Sequence, residues 1–151
     1  MRYGLIIILL TLSGCAQITS NLPMNYESPA DELINNGWSA LNDKDYESAH
    51  RQADECVALY SAEAKEINAS CADQSDPSKY GRCWAVNTVG ECLALKAEAY
   101  YNVKNYEAVK DVCGEIQKYY FNSFIFDPRG WPWKPAEYCK DKIEEINKES
   151  E

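Results

Sequence analysis

The sequence predicts an all-α fold of about five helices, built as two antiparallel helical hairpins followed by a C-terminal capping helix. Three observations predict it. Between Glu91 and Phe121, apolar residues fall at Leu93, Ala97, Tyr100 and Tyr101. Past the polar break Lys104-Asn105 they resume at Tyr106, Val109, Cys113, Ile116 and Tyr120, the three-to-four spacing of a helix stripe. Two helices joined by so short a polar link must lie antiparallel. The arrangement has a copy sixty residues earlier. Leu33 aligns with Leu93, Gly37 with Ala97, Ala40 with Tyr100, Lys44-Asp45-Tyr46-Glu47 with Lys104-Asn105-Tyr106-Glu107, Ala49 with Val109, Ala53 with Cys113 and Cys56 with Ile116. The third observation is a helix start written in Ser28-Pro29-Ala30-Asp31. Ser28 is the N-cap, Pro29 takes the first helical position, and Asp31 can reach back to the cap.

In the aligned hairpins the small residues Gly37 and Ala97 let the first helix of each pair approach the second, and Tyr46 and Tyr106 fill the gap after the turn. This pattern of small, Tyr and Ala positions resembles the tetratricopeptide repeat, over residues 30–61 and 90–121. The Trp usual early in the first helix is Leu33 or Leu93 here, and the closing Pro is Ser61 or Phe121. The period is sixty residues where the family has about 34, which implies an insertion between the two copies.

The chain opens with Arg2 and the apolar run Gly4 to Leu10. That run is too short for a membrane-spanning helix, which takes about 20 apolar residues, and is read as the core of a signal peptide over residues 1–14. Leu12-Ser13-Gly14-Cys15 resembles a bacterial lipobox: an aliphatic and two small residues ahead of a thiol that accepts a diacylglycerol chain. The resemblance implies a lipoprotein cleaved before Cys15 and held stably by several acyl chains. Ala16 at the next position, where Asp would retain such a protein at the inner membrane, implies an outer-membrane, periplasm-facing address. Residues 15–28 form a polar tether with Pro23. Removing residues 1–14 takes the net charge from −9 to −10 and leaves 137 residues. That is enough for one small domain, residues 29–151, and so acidic a chain is a poor binder of nucleic acid or anionic lipid.

Within the domain, the first helix is expected over Pro29 to Asn42, with Asp43-Lys44-Asp45 as the turn. The second helix is expected to outrun a standard repeat, since Ala49, Ala53, Cys56, Val57, Tyr60, Ala64, Ile67 and Cys71 continue the stripe. The first hairpin is thus residues 29–71 and the loop at its tip is 72–82, rich in turn formers. The second hairpin, residues 83–121, begins near Cys83-Trp84. With Cys15 set aside for lipidation, six cysteines remain in the exported part, allowing fifteen connectivities. Cys71 and Cys83 flank the tip loop, and Cys56 and Cys92 lie at matching depth on the same two antiparallel helices. Cys113 is left for Cys139 in the last helix. A metal site has little support, because no CxxC is present and the one histidine, His50, falls on the polar side of its helix. Nothing suggests a cofactor.

Residues 122–134 are an aromatic tail. Tyr119 to Lys134 packs seven aromatic residues into sixteen, with Asp127-Pro128-Arg129-Gly130 as a turn. These rings can cover the open end of the last repeat. Alternatively Arg129, Trp131 and Trp133 stay exposed as a binding patch. Pro135-Ala136-Glu137 starts a capping helix, residues 135–148, with a stripe of Ala136, Cys139, Ile143 and Ile146.

Enzymatic activity is not expected. Carboxylates are spread along polar helix faces, no nucleophile has a base beyond His50, and no Gly-rich phosphate loop is present. A binding module is expected instead. By resemblance, the first helix of each repeat lines a concave groove presenting Asp31, Ile34, Trp38, Leu41 and Asn42 from one copy and Glu91, Ala94, Glu98, Tyr101 and Asn102 from the other. That surface is acidic with aromatic anchors, which points to a protein partner offering Lys or Arg near apolar residues. Repeat-containing lipoproteins of this kind scaffold envelope assemblies such as secretion or pilus machines. The alternatives are a periplasmic immunity or inhibitor protein and a purely structural envelope lipoprotein.

Overall fold

A computed structural model of the chain describes residues 29–72, 80–127 and 130–149. The expected signal peptide, Cys15, the tether, the Ser28 cap, most of the tip loop and Arg129 lie outside these residues. Helix α1 spans Pro29–Asn42, α2 Tyr46–Ile67, α3 Trp84–Asn102, α4 Tyr106–Tyr119 and α5 Pro135–Glu149. Two short strands, β1 at Ile125–Phe126 and β2 at Pro132–Trp133, form an antiparallel ribbon before α5. The fold is all-α apart from this ribbon.

The two turns are copies at atomic detail. In the first, the Asp45 amide donates to the Ala40 carbonyl at 2.8 Å and the Lys44 amide to Leu41 at 3.0 Å. In the second, Asn105 donates to Tyr100 at 3.0 Å and Lys104 to Tyr101 at 2.9 Å. These are the paired bonds that close a helix through a left-handed residue, and Lys44 and Lys104 take that conformation with φ of 63° and 59°. Asp45 and Asn105 then cap the next helix, their side chains accepting the amides of Ser48 and Ala108 at 3.0 and 3.3 Å. Asp and Asn are favoured at this position because the side-chain oxygen satisfies an amide that has no partner within the helix.

Consecutive helices pack as neighbours, with the α2–α3 pair the most extensive, and α3 also touches α1 and α5. α5 relates to α4 and α3 as α3 relates to α2 and α1, so it stands where the first helix of a further repeat would. The main core runs from Ala64 through Val86, Val89, Leu93 and Ala97 of α3 to Val109, Ile116, Tyr120 and Ile146. Leu95 and Ala99, on another face of α3, pack with Ala49 and Ala53. Eleven residues of α3 are buried, which is why its hydrophobic pattern is nearly continuous around the helix.

Three cystine bridges staple this core: Cys56–Cys92, Cys71–Cys83 and Cys113–Cys139. They are the pairs that helix register puts together. The first ties α2 to α3, and the third ties α5 to α4.

Four details depart from the sequence reading. α2 ends at Ile67, and the chain reaches Cys71 through a 3-10 turn at Asn68–Cys71, matched by another at Gly81–Cys83. The tip loop is therefore shorter than residues 72–82. The aromatic tail is not irregular throughout, since the ribbon organises it around Gly130 at φ 102°, whose amide donates to the Asp127 carbonyl at 2.8 Å. Gly37 meets α3 more tightly than α2, because a Cβ there would stand 2.3 Å from Leu95 Cδ2 and 3.4 Å from Gln52 Cβ. Finally, His50 is half-buried, with its ring 4.0 Å from that of Tyr100. Burial holds its imidazole below the usual histidine range, with the Lys96 charge acting in the same direction. The stacking partner is on α3, out of sight of any pattern local to α2.

Candidate functional site

The described residues enclose a cleft of about 980 Å³. One wall is α1, which contributes Ile34, Asn35, Trp38 and Asn42. The opposite wall is the start of α5, with Glu137, Tyr138 and Asp141. Glu91 of α3 lies between them, and the ribbon closes one end with Asp127, Trp131, Pro132, Trp133 and Lys134. The expected groove and the expected aromatic patch, argued from separate stretches of sequence, thus meet in one place.

Each wall is held by local chemistry. Trp38 follows Ile34 by one turn, so the pair shares a face of α1. Ile34 is buried against Cys56 and Cys92, and Trp38 remains half-buried above it. The Trp38 indole N–H donates to Glu91 Oε1 at 3.3 Å. Burial, countered by that bond, pushes the Glu91 carboxyl up to about 7, and the nearby negative charges of Asp31 and Asp127 add to the rise. The ribbon is fixed to α3 from beneath. Buried Asn87 accepts the Phe124 amide at 2.9 Å, and Asn122 donates to the Asn68 carbonyl at 2.7 Å. Tyr80 stacks edge-on against Phe126, with ring centroids 5.3 Å apart.

The aromatic tail divides between capping and exposure. Tyr120 and Ile125 are buried under the last hairpin, whereas Trp131 is 50% exposed. Trp133 is half-buried, edge-on to Tyr138 at 6.3 Å.

Part of the expected groove is used inside the molecule. Glu98 receives a hydrogen bond from the Tyr138 hydroxyl and an ion pair from Lys142 at 3.4 Å. The same ammonium sits 3.8 Å from the centre of the Tyr101 ring. Burial first, and then the Glu98 carboxylate, raise the Tyr138 phenol, while hydrogen bonding to Glu145 raises that of Tyr101. Glu98 and Tyr101 are therefore the contact surface of α5 and do not line the cleft. Asn102, which donates to the Glu98 carbonyl at 2.8 Å, does not line it either, nor do Asp31 and Leu41. Leu41 packs in the cluster around Ala49 and Leu95, and Ala94 is buried. Of the expected groove, Ile34, Trp38, Asn42 and Glu91 face the cleft.

Asn35, Asp127, Pro132, Lys134, Glu137, Tyr138 and Asp141 line the cleft without having been expected there from sequence. The last three were legible in principle, since Glu137, Tyr138 and Asp141 share one face of the final helix at three-to-four spacing. They become groove residues once that helix is taken to stand where the first helix of a further repeat would.

Among the described residues, the cleft carries four carboxylates against one ammonium, and Lys134 is itself paired with Glu137 at 3.2 Å. Its chemistry suits recognition of cationic and aromatic groups. Among the described residues, no cluster of His, Cys, Asp and Glu could hold a metal ion. A second depression of about 420 Å³ lies among Asp141, Glu144, Glu145, Lys148 and Glu149, but a single helix forms it and no wall faces it. Comparison of the chain with protein-family models, curated proteins and solved structures finds no match.

Proposed function

We propose that this chain is a lipid-anchored, periplasm-facing adaptor that receives a segment of a protein partner in the cleft between α1 and α5. In this reading Cys15 carries the acyl chains and the outer membrane is the address, on the strength of the lipobox-like Leu12-Ser13-Gly14-Cys15. The observation that carries the binding role is the convergence of Trp38, Glu91, Trp131 and Trp133 on one recess. Trp and Tyr in a walled recess, ringed by polar groups, form the composition of a binding hot spot. Its repeat-like architecture supports service to an envelope assembly, as a scaffold or pilot of a secretion or pilus machine. Its small size, acidity and three cystine bridges support the second reading, an inhibitor that neutralises an imported effector.

The test places a photo-crosslinking residue at position 131 and, as a control, at exposed position 55 on α2 in cells. One dominant protein adduct is expected at 131 and none at 55, with the adduct lost on Trp38→Ala. An assembly component as the captured protein selects the scaffold reading, and an effector selects the inhibitor. Equal labelling at both positions would sink the adaptor reading. Separately, Cys15→Ala should release the protein from the membrane fraction.

A further inference from the structure

We infer that Glu91 is the seat for one cationic side chain, a lysine or arginine presented by the segment that enters the cleft. This rests on the cleft being the partner site, and it assigns the chemistry of the anchor.

The molecule contains a filled example of the same device. Glu91 and Glu98 are seven residues apart on α3, so they share a face about 10 Å apart along the axis. At Glu98 the seat is complete. Lys142 brings its ammonium to 3.4 Å from the carboxylate and to 3.8 Å from the Tyr101 ring centre, and the Tyr138 hydroxyl donates to the same carboxylate. At Glu91 the corresponding parts are present one by one. An aromatic N–H, from Trp38, donates to the carboxylate at 3.3 Å, and Trp131, Trp133 and Tyr138 stand around the opening. A cation between a carboxylate and aromatic faces gains from both. Among the described residues, no lysine or arginine lies within ion-pair distance of Glu91.

The charges facing this point come from every element around it. Asp31 of α1 and Asp127 beside the ribbon act on Glu91; Glu137 and Asp141 line the cleft from α5, and Lys134, the one cation among the described residues that line it, is paired with Glu137. The charges that act on Glu91 are negative, and a partner cation seated beside it offsets them. Because burial pushes the Glu91 carboxyl up to about 7, a cation that binds the ionised form binds better as pH rises through neutrality and displaces a proton below it.

The experiment titrates the full chain in detergent with N-acetyl-lysine amide, N-acetyl-arginine amide and the uncharged N-acetyl-norleucine amide, following tryptophan indole resonances by NMR. The cationic probes should move the Trp38 and Trp133 signals, and the tighter of the two names the anchor. Affinity should rise about tenfold from pH 6 to pH 8, as the ionised fraction of a group near 7 does. Glu91→Gln, which keeps the acceptor for Trp38, should erase both the preference over norleucine and the pH dependence while the thermal melt stays cooperative. Equal shifts with norleucine, or shifts that survive Glu91→Gln, overturn the assignment. So does a signal seen only with Arg129→Ala, which would mean that the chain fills its own seat. If the probes fail while crosslinking at position 131 persists, the adaptor reading stands and the cation anchor alone falls. Loss of both removes the cleft as a site.

Discussion

Residues 41–50 and 101–110 show the same succession of helix, turn and burial, position by position, yet the helices that lead into them live in different surroundings. α1 has α2 and part of α3 beside it, and its outward face with Asn35, Trp38 and Asn42 opens on the cleft. α3 has α2, α4, α1 and α5 around it, and its groove-side residue Glu98 is consumed by Tyr138 and Lys142. A duplicated hairpin therefore yields one helix whose outward face opens on the cleft and one that is enclosed by its neighbours on most sides. The aromatic tail and α5, which come after the second copy, make the difference, and the repeat itself does not.

The strongest way to break that difference is to release α5. Cys113–Cys139 closes a separation of 26 residues and ties α5 to α4. Cys113→Ala with Cys139→Ala should cost about 3 kcal/mol in chemical unfolding. Amide exchange should speed up along α5 and around Glu98 more than along α1. Equal acceleration in α1 would show that α5 is no local cover. The next effect comes from the tail. A Cβ on Gly90 would stand 2.4 Å from both Cβ and Oγ of Ser123 and 3.3 Å from Pro135 Cγ. Ser123 is fully buried and its hydroxyl is bonded to the Tyr120 carbonyl at 2.7 Å, so relief requires the tail to shift. Gly90→Ala should cost about 2 kcal/mol. Gly114→Ala in α4, where a Cβ meets nothing, should instead gain up to about 1 kcal/mol from helix propensity.

How much of the molecule is legible in the sequence depends on how local each cause is. The bounds of α1, the left-handed turns and the bridge between Cys71 and Cys83 depend on residues close in sequence, and spacing finds them. The end of α2 is misplaced by periodicity because Cys71 keeps the apolar pattern through a turn of tighter pitch, and the pattern cannot register the change from 3.6 to 3 residues per turn. The ribbon escapes because strands of two residues are too short to alternate visibly. The burial of His50 depends on Tyr100, and the cleft wall opposite α1 depends on α5 folding back across α3. Both are tertiary events between segments whose own patterns are ordinary. Trp38 and Glu91 are found from sequence, but for their place in the repeat; that they touch is not visible there.

A pH-dependent effect sharpens the electrostatic half of the comparison. Glu91 has a folded value near 7 against an ordinary 4.5, so between those values the folded state holds a proton that the unfolded state has lost. Stability contributed by this group is present at low pH and falls as pH rises through that window. Glu91→Gln should remove the fall, leaving the variant more stable than the parent at pH 8 by on the order of 3 kcal/mol and equal to it near pH 4. His50, whose value burial lowers, acts with the opposite sign, since its unfolded state takes up protons first as pH drops. Comparing the parent with the single variant cancels that contribution. A constant difference between them across pH would mean that Glu91 is not held in its neutral form.

The smallest expected effect tests whether the two turns are equivalent at all. Lys44 and Lys104 carry side chains in a left-handed conformation that glycine adopts without cost. Lys44→Gly and Lys104→Gly relieve that strain, while glycine's greater freedom in the unfolded chain takes part of the gain back. Each should therefore stabilise by a few tenths of a kcal/mol, and the two values should agree, because the bonds closing both turns match to within about 0.2 Å. If the turns are copies in energy as well as in geometry, the double variant should show the sum. Unequal values would place the asymmetry of the molecule inside the repeat, contrary to the view that the tail and α5 impose it from outside.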